Sequence, residues 1–136
     1  MTNWAVDTSV AVPLVVETHP DYERIRDAVG ERRVLLAGHA LAETYSILTR
    51  LPGDMRFAAA DAVTVIDDRF GKAIWPDLET LTEVHRLLAA KGIVGGAVYD
   101  GLVALAAVSA NATLLTRDSR ARPTYEALGV DVETIG

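Results

Sequence analysis

Short apolar runs alternate with longer segments of helical pattern along almost the whole chain. The runs are continuous rather than alternating and rich in branched side chains, as in strands that helices cover on both faces. They span residues 4–6, 34–37, 73–75, 113–116 and, with a weaker pattern, 131–135. This alternation predicts an α/β fold with a mostly parallel sheet between helical layers.

The segments between the runs place apolar residues at steps of three and four. One helix is predicted to begin at Ser9, and others cover residues 19–29, 38–51, 56–69, 78–90, 97–110 and 123–128. Segment 78–90 carries its leucines on one side, as in an amphipathic helix, whereas segment 97–110 is almost wholly apolar and is predicted to be buried. We therefore expect a three-layer α/β/α sandwich.

The length of 136 residues suits one domain with a single core, and we predict one domain over residues 1–136. The absence of cysteine excludes disulfides and thiolate metal sites. The N-terminus lacks the pattern of a signal peptide, and no apolar run approaches the roughly 20 residues that a membrane helix needs. A cytoplasmic protein is the expectation.

The formal charge is −6, from 19 acidic and 13 basic residues. An acidic protein does not attract nucleic acid broadly through electrostatics. A nucleic-acid enzyme nevertheless stays possible, because metal ions invert the local charge of an acidic cleft.

Four acidic residues occupy positions where folds of this kind bind ligands, outside the carboxyl ends of the strands. Asp7 follows the first predicted strand, and Asp118 lies two residues past the fourth. Glu43 and Asp100 stand inside apolar helical segments. Each aspartate has an alternative role as a cap of a helix or turn. Glu43 is flanked by apolar residues and is expected to be partly buried, which demands a partner, a proton or a cation.

Basic partners for these acids are scarce, since the chain has only two lysines and most arginines lie in polar stretches. A cluster of carboxylates without cysteine or a histidine pair suits Mg²⁺ or Mn²⁺. Such a site positions an attacking water and stabilises a leaving oxygen. The residues alone therefore indicate divalent-metal phosphotransfer or hydrolysis.

Four segments carry a resemblance to a known family, in the order AVDTSVAVPLVV, HALAETYSILTRLPG, GGAVYDGLVALAA and LLTRDSRARPTYEALGVDVE. The chain resembles a PIN-domain ribonuclease, and most closely the VapC toxins of type II toxin–antitoxin systems. The match runs from about Asn3 to Ile135. The ordered set, rather than any single segment, carries the likeness. The last segment has arginine and proline where relatives often carry an aromatic residue.

The resemblance implies that Asp7, Glu43, Asp100 and Asp118 are catalytic. Asp7, Asp100 and Asp118 would hold Mg²⁺ or Mn²⁺, and Glu43 would complete the cluster or orient the water. The resemblance also implies a Mg²⁺-dependent endoribonuclease that cleaves selected structured RNA, tRNA or rRNA. It further implies a homodimer that a cognate antitoxin inhibits by lying across the active-site groove.

Hydroxyl residues stand beside the first and last of these acids, where the family places them. Hydroxyls next to a ligand can fix its carboxylate or a metal-bound water. Three arginines flank the last acid and are candidates for contacts to RNA phosphates, although ordinary surface charges are an equal alternative. The hydroxyl residues are Thr8, Ser9 and Thr116, and the arginines are Arg117, Arg120 and Arg122.

Histidine and aromatic side chains receive no catalytic role. The three histidines have no ligand spacing, and His39, before the Glu43 helix, is predicted to be structural. Four aromatic side chains are interpreted as core or interface residues rather than platforms for stacked bases. They are Trp4, Tyr45, Trp75 and Tyr99.

Three other functions stay open. One is a PIN nuclease outside toxin–antitoxin systems. A short upstream reading frame that encodes a small DNA-binding protein would argue against it. Another is a signalling receiver domain, but Asp7 is unpaired, Asp77 is the only acid just after the third predicted strand, and no lysine follows Lys91. The last is a degenerate PIN domain that only binds partners, against which the intact quartet argues.

Overall fold

A computed structural model describes residues 3–136 and has four parallel strands flanked by helices. The strands are β1 (Asn3–Val6), β2 (Val34–Leu36), β3 (Ala112–Thr116) and β4 (Val132–Thr134), in the order β2-β1-β3-β4. The helices are α1 (Thr8–Val15), α2 (Tyr22–Val29), α3 (Ala40–Leu48), α4 (Ala59–Phe70), α5 (Leu78–Thr82), α6 (Val84–Ala90), α7 (Ala97–Ser109) and α8 (Arg122–Ala127). The predicted α/β/α sandwich is confirmed, and the sheet is parallel throughout.

The predicted strand at residues 73–75 is wrong. This segment forms a single bridge, in which Ile74 pairs with Ala37 beyond the end of β2. Trp75 is 51% exposed, and the next residue is Pro76, which has no amide hydrogen to continue a ladder. The segment therefore borders the sheet at one point without extending it.

The predicted helix at residues 78–90 is also wrong, because it divides into α5 and α6 at Glu83. The Thr82 hydroxyl donates to the Leu78 carbonyl at 2.7 Å, a local bond that competes with the helical ladder. Part of the expected apolar side faces solvent: Leu78 is 79% and Leu81 36% exposed, whereas Leu88 is buried.

Helix α7 is buried as predicted and fixes the position of Asp100 in its first turn. A Cβ atom added to Gly101 would lie 2.7 Å from a methyl carbon of Leu88. A side chain at this position would therefore force the Leu88 side chain to shift. The turn that precedes α3 also packs on α7, since a Cβ atom on Gly38 would lie 3.1 Å from that of Ala106.

The sheet order brings the acidic segments to one edge. Strand β1 lies between β2 and β3, and Val6 pairs with Leu115 in the β1–β3 register. Because the strands are parallel, Asp7 and Asp118 leave the sheet on the same side. Glu43 on α3 and Asp100 on α7 are on that side as well, since both line the same pocket as Asp7 and Asp118. Among residues 3–136, no helix is both long and apolar enough to cross a membrane.

Candidate active site

Asp7 occupies the N-cap position of α1, but its carboxylate does not cap the helix. Its backbone carbonyl instead accepts the first helical hydrogen bond, from Ala11 at 2.9 Å. The residue is only 5% exposed. The alternative role as a helix cap is therefore not seen, and the buried carboxylate has other partners.

Three hydroxyl groups surround the Asp7 carboxylate. Ser9 donates to Oδ1 at 2.5 Å, and Thr116 and Tyr125 donate to Oδ2 at 2.6 and 2.7 Å. Burial, together with the adjacent Asp7 charge, raises the pKa of the Tyr125 hydroxyl far above its ordinary value, so Tyr125 remains a proton donor. Hydrogen bonds from all three hydroxyls satisfy the oxygens of a carboxylate that the fold removes from water.

Backbone amides at the end of β3 orient two of these hydroxyls. The Arg117 amide donates to Ser9 Oγ at 2.8 Å, and the Asp118 amide donates to Thr116 Oγ1 at 3.0 Å. Each hydroxyl accepts from the backbone and so directs its own hydrogen at Asp7. Of the three predicted hydroxyl residues, Ser9 and Thr116 contact Asp7. Thr8 lines the same pocket. In the part of the chain that the structure describes, its hydroxyl does not bond to the Asp7 carboxylate.

All four predicted acids line one open pocket of about 570 Å³ at the carboxyl edge of the sheet. Burial raises the pKa of Asp100 to about 6, and the charges of Asp118, Asp7 and Glu43 add to this effect. The nearby Arg120 lowers the same pKa without cancelling the rise. The pocket therefore concentrates negative charge that its own cations do not neutralise.

The prediction that Glu43 is partly buried is wrong, since this side chain is exposed. The face of α3 that enters the core carries Ala40, Thr44 and Leu48, at steps of four residues. Glu43 lies one position away from that face and so reaches the mouth of the pocket instead.

Asp118 and Asp100 retain part of the alternative role predicted for them, the stabilisation of a turn or a helix start. Asp118 Oδ1 accepts the backbone amide of Arg120 at 2.9 Å, which stabilises the turn after β3. Asp100 lies in the first turn of α7, where a negative charge suits the helix dipole, although Gly96 is the N-cap residue. Both nevertheless face the pocket.

The three candidate arginines differ in what their guanidinium groups contact. Arg117 lines the pocket but donates to Asp21 at 2.5 Å. Arg122 donates to Glu126 at 2.7 Å and to Thr134 at 2.6 Å. The Arg120 side chain is 93% exposed and lines the pocket, with its Nε 3.7 Å from Asp118. Arg120 is therefore the candidate best placed to contact a phosphate.

Sequence reasoning missed two residues of this pocket whose side chains can form hydrogen bonds, His19 and Tyr125. His19 Nδ1 accepts the backbone amide of Asp21 at 3.0 Å, so the hydrogen of a neutral ring resides on Nε2. His19 lies between α1 and α2, and Tyr125 lies in α8. Neither residue follows directly on a strand, and neither belongs to a motif that can be recognised in the sequence.

The other aromatic residues lie outside the pocket lining. His39 stacks on Tyr99 with the ring centres 4.9 Å apart. Three of the aromatic side chains are exposed: Tyr45 by 38%, Trp75 by 51% and Tyr99 by 54%. They do not belong to the core, and that part of the prediction is wrong. The half-buried Trp4 instead packs against the guanidinium of Arg32, 4.6 Å from its ring centre.

The donor set of the pocket fits a hard divalent cation. Its ligand candidates are carboxylate oxygens, which Mg²⁺ and Mn²⁺ prefer. Within residues 3–136, no three acidic or histidine side chains lie close enough together to hold an ion as they stand. Binding would therefore require small side-chain movements or bridging waters, which a pocket open to solvent allows.

Comparison with known proteins shows the family of this chain. The sequence profile of the PIN domain matches residues 5–126. Ribonuclease VapC27 of Mycobacterium tuberculosis is 51% identical over 94% of this chain and 93% of its own length. Ribonuclease VapC40 of the same species is 41% identical over 96% of this chain and 98% of its own length.

Solved structures show the same fold at low sequence identity. The crystal structure of VapBC2 from Rickettsia felis, bound to a DNA fragment from its promoter, covers 99% of this chain and 100% of the matched chain, with 16% identity and a TM-score of 0.67. DNA-bound VapBC from Salmonella typhimurium covers 98% of both chains, with 18% identity and a TM-score of 0.63. From its sequence and its fold, the chain belongs to the VapC ribonucleases of the PIN-domain family.

Proposed function

We propose that this protein is a Mg²⁺- or Mn²⁺-dependent endoribonuclease, that it acts as the toxin of a type II toxin–antitoxin pair, and that it cleaves selected structured RNA, tRNA or rRNA. The observation that carries the chemistry is the convergence of four carboxylates on one pocket, where burial and their charges raise the pKa of Asp100 to about 6. Carboxylates held together against their repulsion are typical of a functional site that receives a cation.

Each acid has a role in this proposal. Asp7, Asp100 and Asp118 would hold the cation, directly or through water. A bound divalent cation supplies positive charge that activates water and neutralises the leaving oxygen. Glu43 stands at the mouth of the pocket, where an exposed carboxylate can orient the attacking water by accepting a hydrogen bond from it.

Two donors of the pocket would bind the RNA. Arg120 is extended into solvent beside Asp118 and can contact a phosphate oxygen. His19 can donate from Nε2, since its Nδ1 is occupied by the Asp21 amide. These two contacts would hold the RNA backbone at the carboxylates without reading a base.

Replacing Arg120 by alanine is expected to weaken RNA binding about threefold to tenfold. The slope of the logarithm of the binding constant against the logarithm of the salt concentration should fall by about one, the loss of one phosphate contact. Binding is measured by fluorescence anisotropy in Ca²⁺ at several salt concentrations. The matched control is Arg122→Ala, because Arg122 already bonds to Glu126 and Thr134. Equal losses in the two variants would contradict the assignment of Arg120.

The partners are part of the same proposal. The resemblance supports a cognate antitoxin that lies across the active-site groove and a homodimer of this chain, which we take to be a single PIN domain over residues 1–136. Co-expression with the product of a short neighbouring frame, followed by purification, tests the antitoxin. A stable complex that no longer cuts RNA is the expected result.

Incubation of the purified protein with total cellular RNA tests the enzymatic function. We expect a small number of discrete new ends in Mg²⁺ or Mn²⁺ and none in a chelator. Mapping these ends identifies the RNA and the cleavage sequence. Many dispersed cuts would instead favour an RNA-processing nuclease outside a toxin–antitoxin system, and the absence of any metal-dependent cut would overturn the proposal.

A further inference from the structure

Tyr125 is the one hydroxyl around Asp7 that lies far from both strand ends in the sequence. Its ring is 1% exposed within the fold, and its hydroxyl lies 2.7 Å from Asp7 Oδ2. We propose that Tyr125 is a positioning residue: together with Thr116 it occupies Oδ2 of Asp7 and leaves Oδ1 as the oxygen that binds the cation. This inference rests on the proposed function, because it concerns the same cation site.

The number of acceptor positions on the carboxylate carries the argument. An ionised carboxylate offers about four lone-pair sites, two on each oxygen. Oδ2 accepts from Thr116 at 2.6 Å and from Tyr125 at 2.7 Å, which fills both of its sites. Among residues 3–136, Oδ1 accepts from Ser9 alone, so one site on Oδ1 is left for a cation.

The position of the Tyr125 hydroxyl is set by the packing of α8. The Tyr125 amide donates to the Ala121 carbonyl at 3.1 Å, and its own carbonyl accepts from Leu128 at 3.2 Å. Helix α8 in turn packs on α7, the helix that carries Asp100. A buried ring with only two rotatable bonds keeps its hydroxyl in place. Tyr125 therefore fixes the orientation of Asp7 relative to Asp100 through the fold rather than by contact with RNA.

Replacement of Tyr125 by phenylalanine tests this role, because it removes one oxygen and keeps the ring. The Asp7 carboxylate then retains one donor on Oδ2 and gains freedom to rotate. We expect Mn²⁺ to bind the full chain about 10-fold to 100-fold more weakly, the usual cost of losing a group that orients a metal ligand. Free Mn²⁺ is counted by electron paramagnetic resonance during titration of the RNA-free protein.

Two controls separate orientation from general loss of stability. Tyr22→Phe removes a hydroxyl in α2, where the ring lies under Arg26, and should leave Mn²⁺ affinity unchanged. Ile66→Val removes a methylene from the core of α4, costs stability without touching Asp7, and should also leave the affinity unchanged. A loss of affinity in Ile66→Val as large as in Tyr125→Phe would overturn the inference.

Thr116 provides a second test that does not depend on the folding of the Tyr125 variant. Thr116→Ser keeps the hydroxyl that donates to Oδ2 and should bind Mn²⁺ within about twofold of wild type. Thr116→Val removes that hydroxyl and should weaken binding at least as much as Tyr125→Phe, because it also frees the Asp118 amide.

The outcomes distinguish this inference from the proposed function. If the wild-type chain cuts RNA and Tyr125→Phe binds Mn²⁺ as tightly as wild type, the inference alone fails. If the wild-type chain binds Mn²⁺ and the variants lose affinity as expected but no RNA is cut, the proposed function fails and the inference stands. A wild-type chain that binds no Mn²⁺ would overturn both.

Discussion

The Asp7→Asn protein is expected to cut RNA about 100-fold or more slowly than wild type in Mg²⁺. The substitution removes one negative charge from the pocket. It also places an amide group where one carboxylate oxygen would face the cation. Asp7 is the most buried of the four acids, so solvent cannot replace the lost ligand easily. The rate is measured on the RNA that the mapping of cleavage ends identifies.

The fold should survive this substitution, because asparagine has the same shape and keeps one oxygen to accept from Thr116 and Tyr125. Circular dichroism and thermal unfolding check that point. Asp77→Asn is the matched control: Asp77 caps α5 by accepting the Thr80 amide at 2.7 Å, and asparagine caps equally well. The control should cut RNA at the wild-type rate. Full activity of Asp7→Asn with Mg²⁺ present would contradict the assignment of Asp7.

Asp100→Asn is expected to stabilise the metal-free protein at pH 7 while reducing its activity. Burial and the neighbouring acids raise the pKa of Asp100 from 3.8 to about 6 in the folded state. Between these two values the folded state holds a proton that the unfolded state has released. The free energy of unfolding therefore falls as the pH rises from about 4 to about 6, and the full penalty remains above pH 6. Asparagine cannot ionise and avoids the penalty.

The magnitude follows from the same shift. Because Asp100 is partly exposed and solvent screens its neighbours, we expect a gain of about 1–2 kcal/mol for Asp100→Asn at pH 7, which is less than the full shift would give. For a chain of this size, that corresponds to a rise in Tm of roughly 3–7 °C. The gain should shrink toward zero below about pH 4, where both states of the wild type are protonated.

Thermal unfolding in a chelator, at several pH values, measures this difference. The matched control is Asp131→Asn, at an exposed position away from the pocket. Addition of Mg²⁺ or Mn²⁺ should stabilise the wild type more than Asp100→Asn, since a cation that binds the folded state raises its stability. A wild-type protein that is more stable than Asp100→Asn at pH 7 in chelator would show that the acids do not repel one another as inferred.

The positions of Asp7 and Asp118 could be predicted from the sequence because each follows an apolar run that became a strand. The register of Val6 with Leu115 then brings both to one edge, as parallel strands must. The same reasoning failed at residues 73–75, where a run of similar composition ends at Pro76 and forms one bridge. Composition indicates that a segment can pair, whereas available amide donors and neighbours decide whether it does.

Helical positions were harder to predict than strand ends. Glu43 is expected to be partly buried because its neighbours in sequence are apolar, but the fully buried residues of α3 recur only at every fourth position. Likewise, the segment 78–90 divides into two short helices next to Thr82, whose hydroxyl bonds to the Leu78 carbonyl, and Leu78 is left exposed. His19, in the turn between α1 and α2, and Tyr125, in α8, reach the pocket through tertiary packing, which no spacing in the sequence encodes.

The ion pair between Arg117 and Asp21 has a consequence for the order in which ligands enter the pocket. Arg117 is next to Asp118, but its guanidinium is held at 2.5 Å by Asp21, a carboxylate that Arg24 also contacts at 2.6 Å. The two arginines that line the pocket, Arg117 and Arg120, then offset only part of the charge of the four acids there. An empty pocket should repel a phosphate backbone, and a cation-filled pocket should attract it. We therefore expect RNA to bind only after the cation, so that chelation abolishes recognition as well as cleavage.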